Sequence, residues 1–240
     1  MTIPVRQAVV LAGGRGSRLG PLTDDTPKPL LHVAERPFLD WVIDNLARHG
    51  VTDVILTIGY RAESFEPWLQ GRSVAPRVTT FIEQDPLDTG GALTLLADQL
   101  EETFLVLNGD TLFDAPLGQL TARLCDGPSA VAVALRSVTD SGRYGRVTLD
   151  GSLVTSFDEK GESGPGLING GVYAVRRDVL SGRVAPLSLE RELLPDLVVD
   201  GRVAGVPSGG FFIDIGVPES FEEAQRTVPR WWEEVGSSSE

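Results

Sequence analysis

The stretch LAGGRGSRLGPLTDDTPKPL, residues 11–30, decides the predicted fold, and it begins with the last residue of the apolar run QAVVL, Gln7–Leu11. A short apolar run that ends in glycines is typical of a buried strand in a parallel sheet. The glycines that follow allow the backbone to approach a ligand closely, and successive N–H groups can then surround phosphate oxygens. These glycines are Gly13, Gly14 and Gly16. The segment therefore predicts a strand followed by a phosphate-binding loop.

Basic residues in and after this loop add charge that suits a phosphate ligand. Arg15 and Arg18 lie within the loop and supply charged donors. Lys28 lies between Pro27 and Pro29, and the two prolines restrict the backbone that carries its ammonium group. The alternative is an ordinary turn between a strand and a helix, because the segment lacks the Gly-Lys-Ser/Thr of a Walker loop and does not match the dinucleotide-binding spacing.

Strand-like and helix-like segments alternate on the carboxyl side of the loop. Short apolar runs predict strands at residues 54–58, 78–82 and 104–107, and helical spacing of apolar residues predicts helices at 38–49, 63–70 and 89–100. This alternation of strands and helices indicates a mostly parallel sheet with helices on both faces.

The second half of the chain has a different pattern, in which short strands dominate. Strands are predicted at residues 130–135, 145–149, 153–157, 171–175 and 211–215, and helices at 188–199 and from about 219 to 226. The pair Asp150-Gly151 predicts a hairpin turn, because glycine accepts the positive φ angle that such turns need. The complete pattern predicts an α/β fold with a Rossmann-like, mostly parallel but mixed sheet flanked by helices. We expect one domain over residues 1–235 and a disordered tail at 236–240.

The composition restricts the classes of function. Of 240 residues, 34 are acidic and 21 are lysine or arginine, which gives a formal net charge of −13. Such a surface repels polyanions, so neither nucleic acid nor an anionic membrane is an expected partner. No apolar run reaches the roughly 18 to 20 residues that cross a bilayer, and the first residues lack a secretory signal, so a cytoplasmic location is expected. One cysteine, Cys125, and two histidines exclude an internal disulfide and a metal centre built on those residue types.

Residues 11–30 as a whole resemble the signature of the sugar-1-phosphate nucleotidyltransferases, and the resemblance continues to about Gln225. It implies the nucleotide-diphospho-sugar transferase fold, with a small β-rich part that binds the sugar. It also implies that the chain transfers a nucleoside monophosphate from an NTP to a sugar 1-phosphate and releases pyrophosphate.

The resemblance assigns nucleotide-binding and catalytic roles to residues of both loops and strands. The positions that would bind the nucleotide are Leu11, Ala12, Gly13, Gly14, Gly16, Arg18, Lys28, Glu83, Thr89, Gly90 and Asp110. Arg18 would neutralise the leaving pyrophosphate, and Lys28 would bridge the α-phosphate and the incoming sugar phosphate. Asp110 and Asp214, each after an apolar run, would hold Mg²⁺, whose usual ligands are one or two carboxylates together with substrate phosphates.

The resemblance assigns the sugar phosphate to residues of the second half. Lys160 would hold the 1-phosphate as part of the catalytic set, and Glu159 would bind sugar hydroxyls. The remaining sugar-side positions are Tyr144, Gly145, Asn169 and Gly170. The alternative for these residues is an ordinary hydrophilic loop. A sugar 1-phosphate is largely dianionic near pH 7, because its second pKa is about 6. The reaction therefore needs positioning and charge neutralisation rather than a general base.

Residues 81–92, FIEQDPLDTGGA, resemble the family's base-recognition strand and loop. Glu83 can accept hydrogen bonds from guanine N1–H and the 2-amino group together, which favours GTP, although Gln84 suits either a purine or a pyrimidine. Several segments resemble the D-glycero-D-manno-heptose 1-phosphate guanylyltransferases, which favours that sugar. Asp88 departs from that group, in which glycine more often precedes the threonine, and an acidic residue there also occurs in N-acetylmuramate 1-phosphate uridylyltransferases. Mannose 1-phosphate is a further candidate substrate.

Two other classes of protein share parts of this pattern. A non-catalytic regulator that binds a nucleotide sugar would not need the leaving-group and metal-binding residues together, and a glycosyltransferase would not need the arginine-bearing loop or the Pro-Lys-Pro segment. The oligomeric state stays open, because Trp231 and Trp232 are compatible with internal packing or with a homo-oligomer interface.

Overall fold

The computed structural model describes residues 5–72, 75–125, 127–158 and 163–237. The strands are β1 Gln7–Leu11, β2 His32–Val33, β3 Arg36–Pro37, β4 Asp53–Ile58, β5 Arg77–Ile82, β6 Thr103–Asn108, β7 Thr111–Phe113, β8 Val131–Val138, β9 Val147–Asp150, β10 Leu153–Phe157, β11 Gly166–Arg176, β12 Val203–Ser208 and β13 Phe212–Asp214. The α-helices are α1 Phe38–Arg48, α2 Phe65–Gln70, α3 Asp88–Leu96, α4 Leu117–Cys125, α5 Leu194–Val199 and α6 Pro218–Ser237. Within the described ranges, no helix combines the length and the apolar character needed to cross a membrane.

Among the described residues, nine strands form one sheet in the order β5-β4-β1-β6-β11-β8-β12-β10-β9. The strands β5, β4, β1 and β6 are parallel to one another, whereas β11 pairs antiparallel with both β6 and β8. Beyond β8, the strand β12 is parallel to it, and β10 and β9 complete the sheet with antiparallel pairs. The predicted α/β fold with a mixed sheet is therefore confirmed. The predicted hairpin is present as well, with a φ of 59° at Gly151.

Apolar residues cover the sheet on both faces. Along β1, Ala8 and Val10 belong to a cluster with residues of α1, α4 and α6, while Val9 belongs to a second cluster with residues of α3 and α5. This alternation follows from the two-residue period of a strand. All three side chains are fully buried, and burial of a valine-sized side chain stabilises a fold by about 1.5–3 kcal/mol. Helices on both faces thus hold the parallel strands in place, as the pattern of the first half predicts.

The last helix is longer than the sequence predicts. The pattern places a helix at residues 219–226, whereas α6 continues through Pro229 and ends at Ser237. A proline normally ends or bends a helix, but Trp231 is buried in the core, and packing of this apolar face keeps the helix continuous. The helix includes Gly236 and Ser237, the first two residues of the predicted disordered tail, and the disorder of the tail stays a prediction. The other three lie outside the described residues.

The strand β11, on the sugar side, is also longer than predicted. The sequence pattern predicts a strand that begins at Gly171, whereas β11 begins at Gly166. Glycine inside a strand often marks a bulge, and the register of β11 against β8 is irregular between Asn169 and Tyr173. The sequence pattern does not predict β7, β12 or α4, because periodicity alone does not assign a short apolar run to one type of structure.

The helix predicted at residues 188–199 begins as a π-helical turn, Leu189–Leu193, and continues as α5. Ser188 caps the turn, because its hydroxyl accepts a hydrogen bond from Arg191 N at 3.2 Å. Leu193 N donates to the carbonyl of Ser188 at 3.0 Å. The two residues are five positions apart, which is the hydrogen-bond spacing of a π-helix. Such turns are frequent at functional sites, and this one forms part of the cleft described next.

Candidate active site

A cleft of about 680 Å³ opens where the parallel strands β1, β4, β5 and β6 end. Ligand sites of open α/β sheets lie in this position, because the loops after parallel strands meet at one edge. The predicted nucleotide-binding residues that line the cleft are Leu11, Ala12, Gly13, Gly14, Gly16, Lys28, Glu83, Thr89 and Asp110. Arg18 and Gly90, by contrast, are not part of its wall. The cleft has the volume of a small-molecule site and brings together most of the predicted nucleotide-binding set.

The glycine-rich loop lies against β4 and the segment after it. Ala12 N donates to the carbonyl of Thr57 at 2.9 Å, and Tyr60 N donates to the carbonyl of Gly13 at 3.2 Å. A Cβ atom at Gly13 would lie only 2.7 Å from Glu83 Oε1. Glycine at this position therefore lets the Glu83 carboxylate lie directly against the loop backbone.

Lys28 and Asp110 form an ion pair in the cleft, with 2.6 Å between Nζ and Oδ2. The side chain of Lys28 is 9% exposed and that of Asp110 is 26% exposed. Gly16 leaves room for the lysine, because a Cβ there would lie 2.8 Å from Lys28 Cε, and its φ of 69° also favours glycine. The loop and the Pro-Lys-Pro segment thus place a cation and a carboxylate side by side.

The two predicted metal-binding aspartates lie on neighbouring segments. Asp110 precedes β7, Asp214 ends β13, and these two strands form an antiparallel pair. Ile215 N donates to the main-chain carbonyl of Asp110 at 3.0 Å and joins the two segments. Asp214 accepts hydrogen bonds from Gly216 N at 2.5 Å and from Arg143 Nη2 at 2.8 Å. Each aspartate is therefore already paired with a basic side chain.

The donor set at this edge fits Mg²⁺ in its chemistry. Carboxylate oxygens are hard donors, and magnesium is usually held by one or two carboxylates together with substrate phosphates. Asp110 and Asp214 supply two carboxylates from adjoining segments. Across the described ranges, no cluster of three or more aspartate, glutamate, histidine or cysteine side chains is suited to hold a metal. A metal bound here would therefore need the phosphates of a nucleotide to complete its ligands.

Arg18 lies beside the second aspartate rather than in the cleft. It is exposed, and a Cβ at Gly216 would lie 3.0 Å from Arg18 Nη2 and 2.5 Å from Asp214 Oδ1. Tyr144 also lies near Asp214. Burial raises the pKa of the Tyr144 hydroxyl, and the charge of Asp214 raises this pKa further. The guanidinium carbon of Arg143 lies 4.9 Å from the centre of the Tyr144 ring. Residues predicted for the leaving group and for the sugar thus meet around Asp214.

On the sugar side, Asn169 and Gly170 lie in the irregular part of β11. Asn169 Nδ2 donates to the hydroxyl of Tyr173 at 2.7 Å, and its Oδ1 accepts from Gly171 N at 2.9 Å. A Cβ at Gly170 would lie 2.5 Å from the ring of Phe113. The amide of Asn169 is therefore held in one orientation, and position 170 requires glycine for packing.

The other sugar-side residues are only partly described. Tyr144 N and Gly145 N donate to the carbonyl of Ser141 at 2.9 and 3.1 Å, and Gly145 has a φ of 81° that favours glycine. Glu159 and Lys160 lie outside the described residues. Their contact with the sugar 1-phosphate stays a prediction.

Glu83 is a half-buried carboxylate next to the glycine-rich loop. Burial raises the pKa of its carboxyl, and a hydrogen bond from Leu87 N at 3.5 Å opposes this effect. Its own N–H donates to the carbonyl of Ile58 at 2.8 Å, so the residue, which directly follows β5, is held against the end of β4. A carboxylate with a raised pKa in a cleft is typical of functional sites.

Thr89 and Gly90 connect the base loop to the segment before the π-helical turn. Gly90 N donates to the carbonyl of Leu187 at 2.8 Å, and a Cβ at Gly90 would lie 3.0 Å from that oxygen. The backbone of Gly90 thus packs against this segment, and its contact with the nucleotide stays a prediction. The hydroxyl of Thr89 faces Glu190 Oε2 at 2.7 Å.

Asp88 and Glu190 line the cleft although sequence reasoning assigns neither to the site. Asp88 has a φ of 59°, a left-handed conformation that favours glycine, and Arg191 Nη2 lies 2.5 Å from its Oδ2. A glycine would adopt this backbone conformation without the strain that a Cβ causes. Glu190 carries no local signal, since a lone charged residue on a short helix is usually solvated.

The fold and this cleft define a class of protein, and comparisons with known proteins give the same answer. The family model described as nucleotidyl transferase matches residues 7–230. The chain therefore belongs to the nucleotidyl transferase family.

Relatives of this chain include enzymes named for one sugar phosphate. The D-glycero-alpha-D-manno-heptose 1-phosphate guanylyltransferase of Aneurinibacillus thermoaerophilus is 32% identical over 228 residues, which are 94% of this chain and 99% of that protein. The enzyme of the same name from Campylobacter jejuni is 34% identical over 217 residues, 90% of this chain and 96% of that protein. A crystal structure of HddC from Yersinia pseudotuberculosis and a second one complexed with GMP-PN superpose with TM-scores of 0.84 and 0.83 at 32% identity, covering 92% of this chain and 98% of theirs.

Proposed function

We propose that this chain transfers GMP from GTP to a sugar 1-phosphate, D-glycero-D-manno-heptose 1-phosphate, and releases pyrophosphate. The observation that carries the proposal is the ion pair between Lys28 and Asp110, 2.6 Å long, in the cleft bounded by the glycine-rich loop. The heptose 1-phosphate guanylyltransferases among the relatives support the choice of base and sugar.

The residues of the chain would act by position and charge. The N–H groups of Gly13, Gly14 and Gly16 would surround the triphosphate, and Arg18 would neutralise the leaving pyrophosphate. Lys28 would turn from Asp110 toward the α-phosphate and the incoming sugar phosphate. Mg²⁺ held by the two aspartates would supply further positive charge for the phosphates.

The sugar phosphate would lie on the side of β11. Lys160 would hold the 1-phosphate and Glu159 the sugar hydroxyls, with Tyr144, Gly145, Asn169 and Gly170 forming the surrounding wall. This assignment is supported by the position of Asn169 and Tyr144 on segments that adjoin Asp110 and Asp214. The nucleophile needs no base, because the sugar 1-phosphate is largely dianionic near pH 7.

Glu83 supports guanine as the base. Its carboxylate lies against Gly13 at the cleft wall, where it can accept hydrogen bonds from two guanine N–H groups together. Uracil offers one N–H on the equivalent edge and leaves a half-buried acceptor without a partner. The HddC structure complexed with GMP-PN agrees with this choice.

Mannose 1-phosphate is a second candidate substrate. The mannose-1-phosphate guanylyltransferase of Mycobacterium tuberculosis is 37% identical over 233 residues, 93% of this chain and 64% of that protein. The choice between the two sugars depends on the sugar side of the site, where two of the predicted residues lie outside the described part.

Pyrophosphate release with Mg²⁺ tests the proposal across four NTPs and a panel of sugar 1-phosphates that includes heptose, mannose, glucose and N-acetylmuramate. We expect release that needs both GTP and heptose 1-phosphate. Release with GTP and mannose 1-phosphate would favour the second candidate, and release with UTP and N-acetylmuramate 1-phosphate would show that the assignment of Glu83 is wrong. Nucleotide binding without release for any pair would favour a non-catalytic regulator.

The same proposal extends to the organisation of the protein. Residues 1–235 are proposed to act as a single nucleotidyltransferase domain. The cleft is lined by residues at the ends of the parallel strands and by Glu190 in the π-helical turn before α5, so both halves of the chain contribute to one site. A cytoplasmic location is part of the same proposal.

A further inference from the structure

Glu190 lies in the wall of the cleft without a role in the proposed reaction. It is partly buried in the π-helical turn Leu189–Leu193 and lines the same cleft as the glycine-rich loop. Thr89 Oγ1 donates to Glu190 Oε2 at 2.7 Å and accepts a hydrogen bond from Leu189 N at 2.9 Å. One carboxylate oxygen is thus fixed, while the other, Oε1, has no hydrogen-bond partner among the residues that the structure describes.

The neighbours of Glu190 belong to both sides of the site. Thr89 lies at the start of α3, in the base loop, whereas Tyr173 lies on β11 and is fully buried. Burial raises the pKa of the Tyr173 hydroxyl well above its ordinary value, and the nearby charge of Glu190 raises it further. That hydroxyl accepts the hydrogen bond from Asn169, a predicted sugar-side residue. Glu190 therefore contacts the base loop directly, and its charge acts on the tyrosine that accepts a hydrogen bond from the sugar-side residue Asn169.

The chemistry of a carboxylate limits what this residue can bind. Glu190 can only accept hydrogen bonds when ionised, and its charge repels the phosphates that Lys28 attracts. The guanine edge is assigned to Glu83, whose carboxylate lies against Gly13 of the glycine-rich loop. The remaining donors of a nucleotide sugar are hydroxyl groups, which belong either to the glycosyl unit or to the ribose.

We propose that Glu190 is a specificity-determining residue that accepts hydrogen bonds from hydroxyl groups of the glycosyl unit. The glycosyl unit is favoured over the ribose because the Tyr173–Asn169 pair next to Glu190 belongs to the sugar side. The inference rests on the proposed function, since it needs a nucleotide sugar in the cleft.

Isothermal titration calorimetry with GDP-D-glycero-D-manno-heptose (GDP-heptose), the nucleotide sugar of the proposed reaction, and with GDP separates the two sources of hydroxyl groups, because GDP has the ribose but no glycosyl unit. The variant Glu190→Gln keeps the size of the side chain and an acceptor oxygen for Thr89, but it removes the charge. We expect its affinity for GDP-heptose to fall about tenfold or more, because hydrogen bonds to a charged acceptor are stronger than those to a neutral one. Its affinity for GDP should stay within about twofold of the wild type.

A matched control is available on the same turn. Glu192 is exposed, is absent from the cleft wall, and accepts a hydrogen bond from Ser188 N at 2.7 Å. Glu192→Gln should leave the affinities for both ligands unchanged. The melting temperature of each protein checks the fold, and Glu190→Asp, which keeps the charge but shortens the side chain, takes the place of Glu190→Gln if the latter does not fold, with the same expected pattern.

Three results would overturn the inference. Equal losses for GDP and GDP-heptose would assign Glu190 to the ribose or to loop structure, and no loss for either ligand would remove it from the site. A wild type that binds GDP-heptose no more tightly than GDP would also contradict it, because the glycosyl unit would then add no contacts. Failure of the proposed function is distinguishable, because it shows in the wild type as absent pyrophosphate release with GTP, whereas failure of this inference shows in the ratio of variant to wild-type affinities.

Discussion

The two halves of the site are built by different kinds of strand. The nucleotide half lies at the ends of the parallel strands β1, β4, β5 and β6, where chain direction alone brings the loops to one edge. The sugar half lies on β11 and β13, where antiparallel pairing and an irregular register decide which residues approach. A parallel edge therefore collects functional loops by topology, whereas the antiparallel half depends on the alignment of individual residues.

The first prediction tests whether both halves are needed for turnover. Asp110→Asn and Asp214→Asn should each lower kcat by about 10³-fold or more, because a metal stabilises phosphoryl transfer by several kcal/mol. Pyrophosphate release measures kcat. Asp114→Asn is the control, since Asp114 pairs with Arg48 at 3.0 Å and does not line the cleft, and it should keep full activity. Full activity in either of the first two variants would remove that aspartate from the metal site.

The second prediction concerns packing in the antiparallel half. Gly170→Ala places a Cβ 2.5 Å from the Phe113 ring and 2.9 Å from the carbonyl oxygen of Ala134. We expect the free energy of unfolding to fall by about 1–3 kcal/mol, the usual effect of overpacking. Urea denaturation measures it, with Gly209→Ala as the control, because a Cβ there meets nothing within 4 Å. Equal stability of the two variants would contradict the packing argument.

The third prediction applies the same substitution to the nucleotide half, where the expected effect is on binding. Gly13→Ala places a Cβ 2.7 Å from Glu83 Oε1, and the flexible carboxylate can move away from it. Stability should change little, while KM for GTP should rise about tenfold, the usual effect of a lost hydrogen bond to a charged group. Steady-state kinetics with GTP tests this, and an unchanged KM would show that the carboxylate does not bind the base.

The fourth prediction uses the pKa of Glu83. Because burial raises this pKa, ionisation of Glu83 costs more in the folded than in the unfolded protein, and stability is lost as the pH rises through the raised value. Glu83→Gln removes this cost, so the variant should melt at a higher temperature than the wild type at pH 8. The difference should shrink as the pH falls to the ordinary range of a glutamate. A difference that does not depend on pH would contradict the assigned cause.

The smallest effect is expected at Asp88, on the rim of the nucleotide half. Its φ of 59° favours glycine, and the left-handed conformation costs a residue with a Cβ about 1–2 kcal/mol. Asp88→Gly should therefore be more stable than Asp88→Ala by about 1 kcal/mol. The ion pair with Arg191 does not affect this difference, because both variants lack it. Urea denaturation of the two variants measures this difference. A more stable alanine variant would show that the backbone at position 88 is not under this constraint.

Much of the nucleotide half could be predicted from local sequence. Strand β1 has the predicted bounds Gln7–Leu11, and the loop after it, Lys28 and Asp110 all meet in the cleft. These signals are local, because a buried parallel strand is a continuous apolar run and its loop follows directly in sequence. The sugar half was predicted less well. The irregular register of β11 and the π-helical turn arise from packing between distant segments, and no short window contains that information.

The sequence by itself determined the α/β fold, the family and the residue types that carry phosphate chemistry. Only the tertiary structure decided the partner of each carboxylate. Asp214 pairs with Arg143 across 71 positions of sequence, and Glu190 pairs with Thr89 across 101 positions. Periodicity and short motifs describe neighbours along the chain, whereas contacts at such separations exist only once the sheet has set the register of its strands.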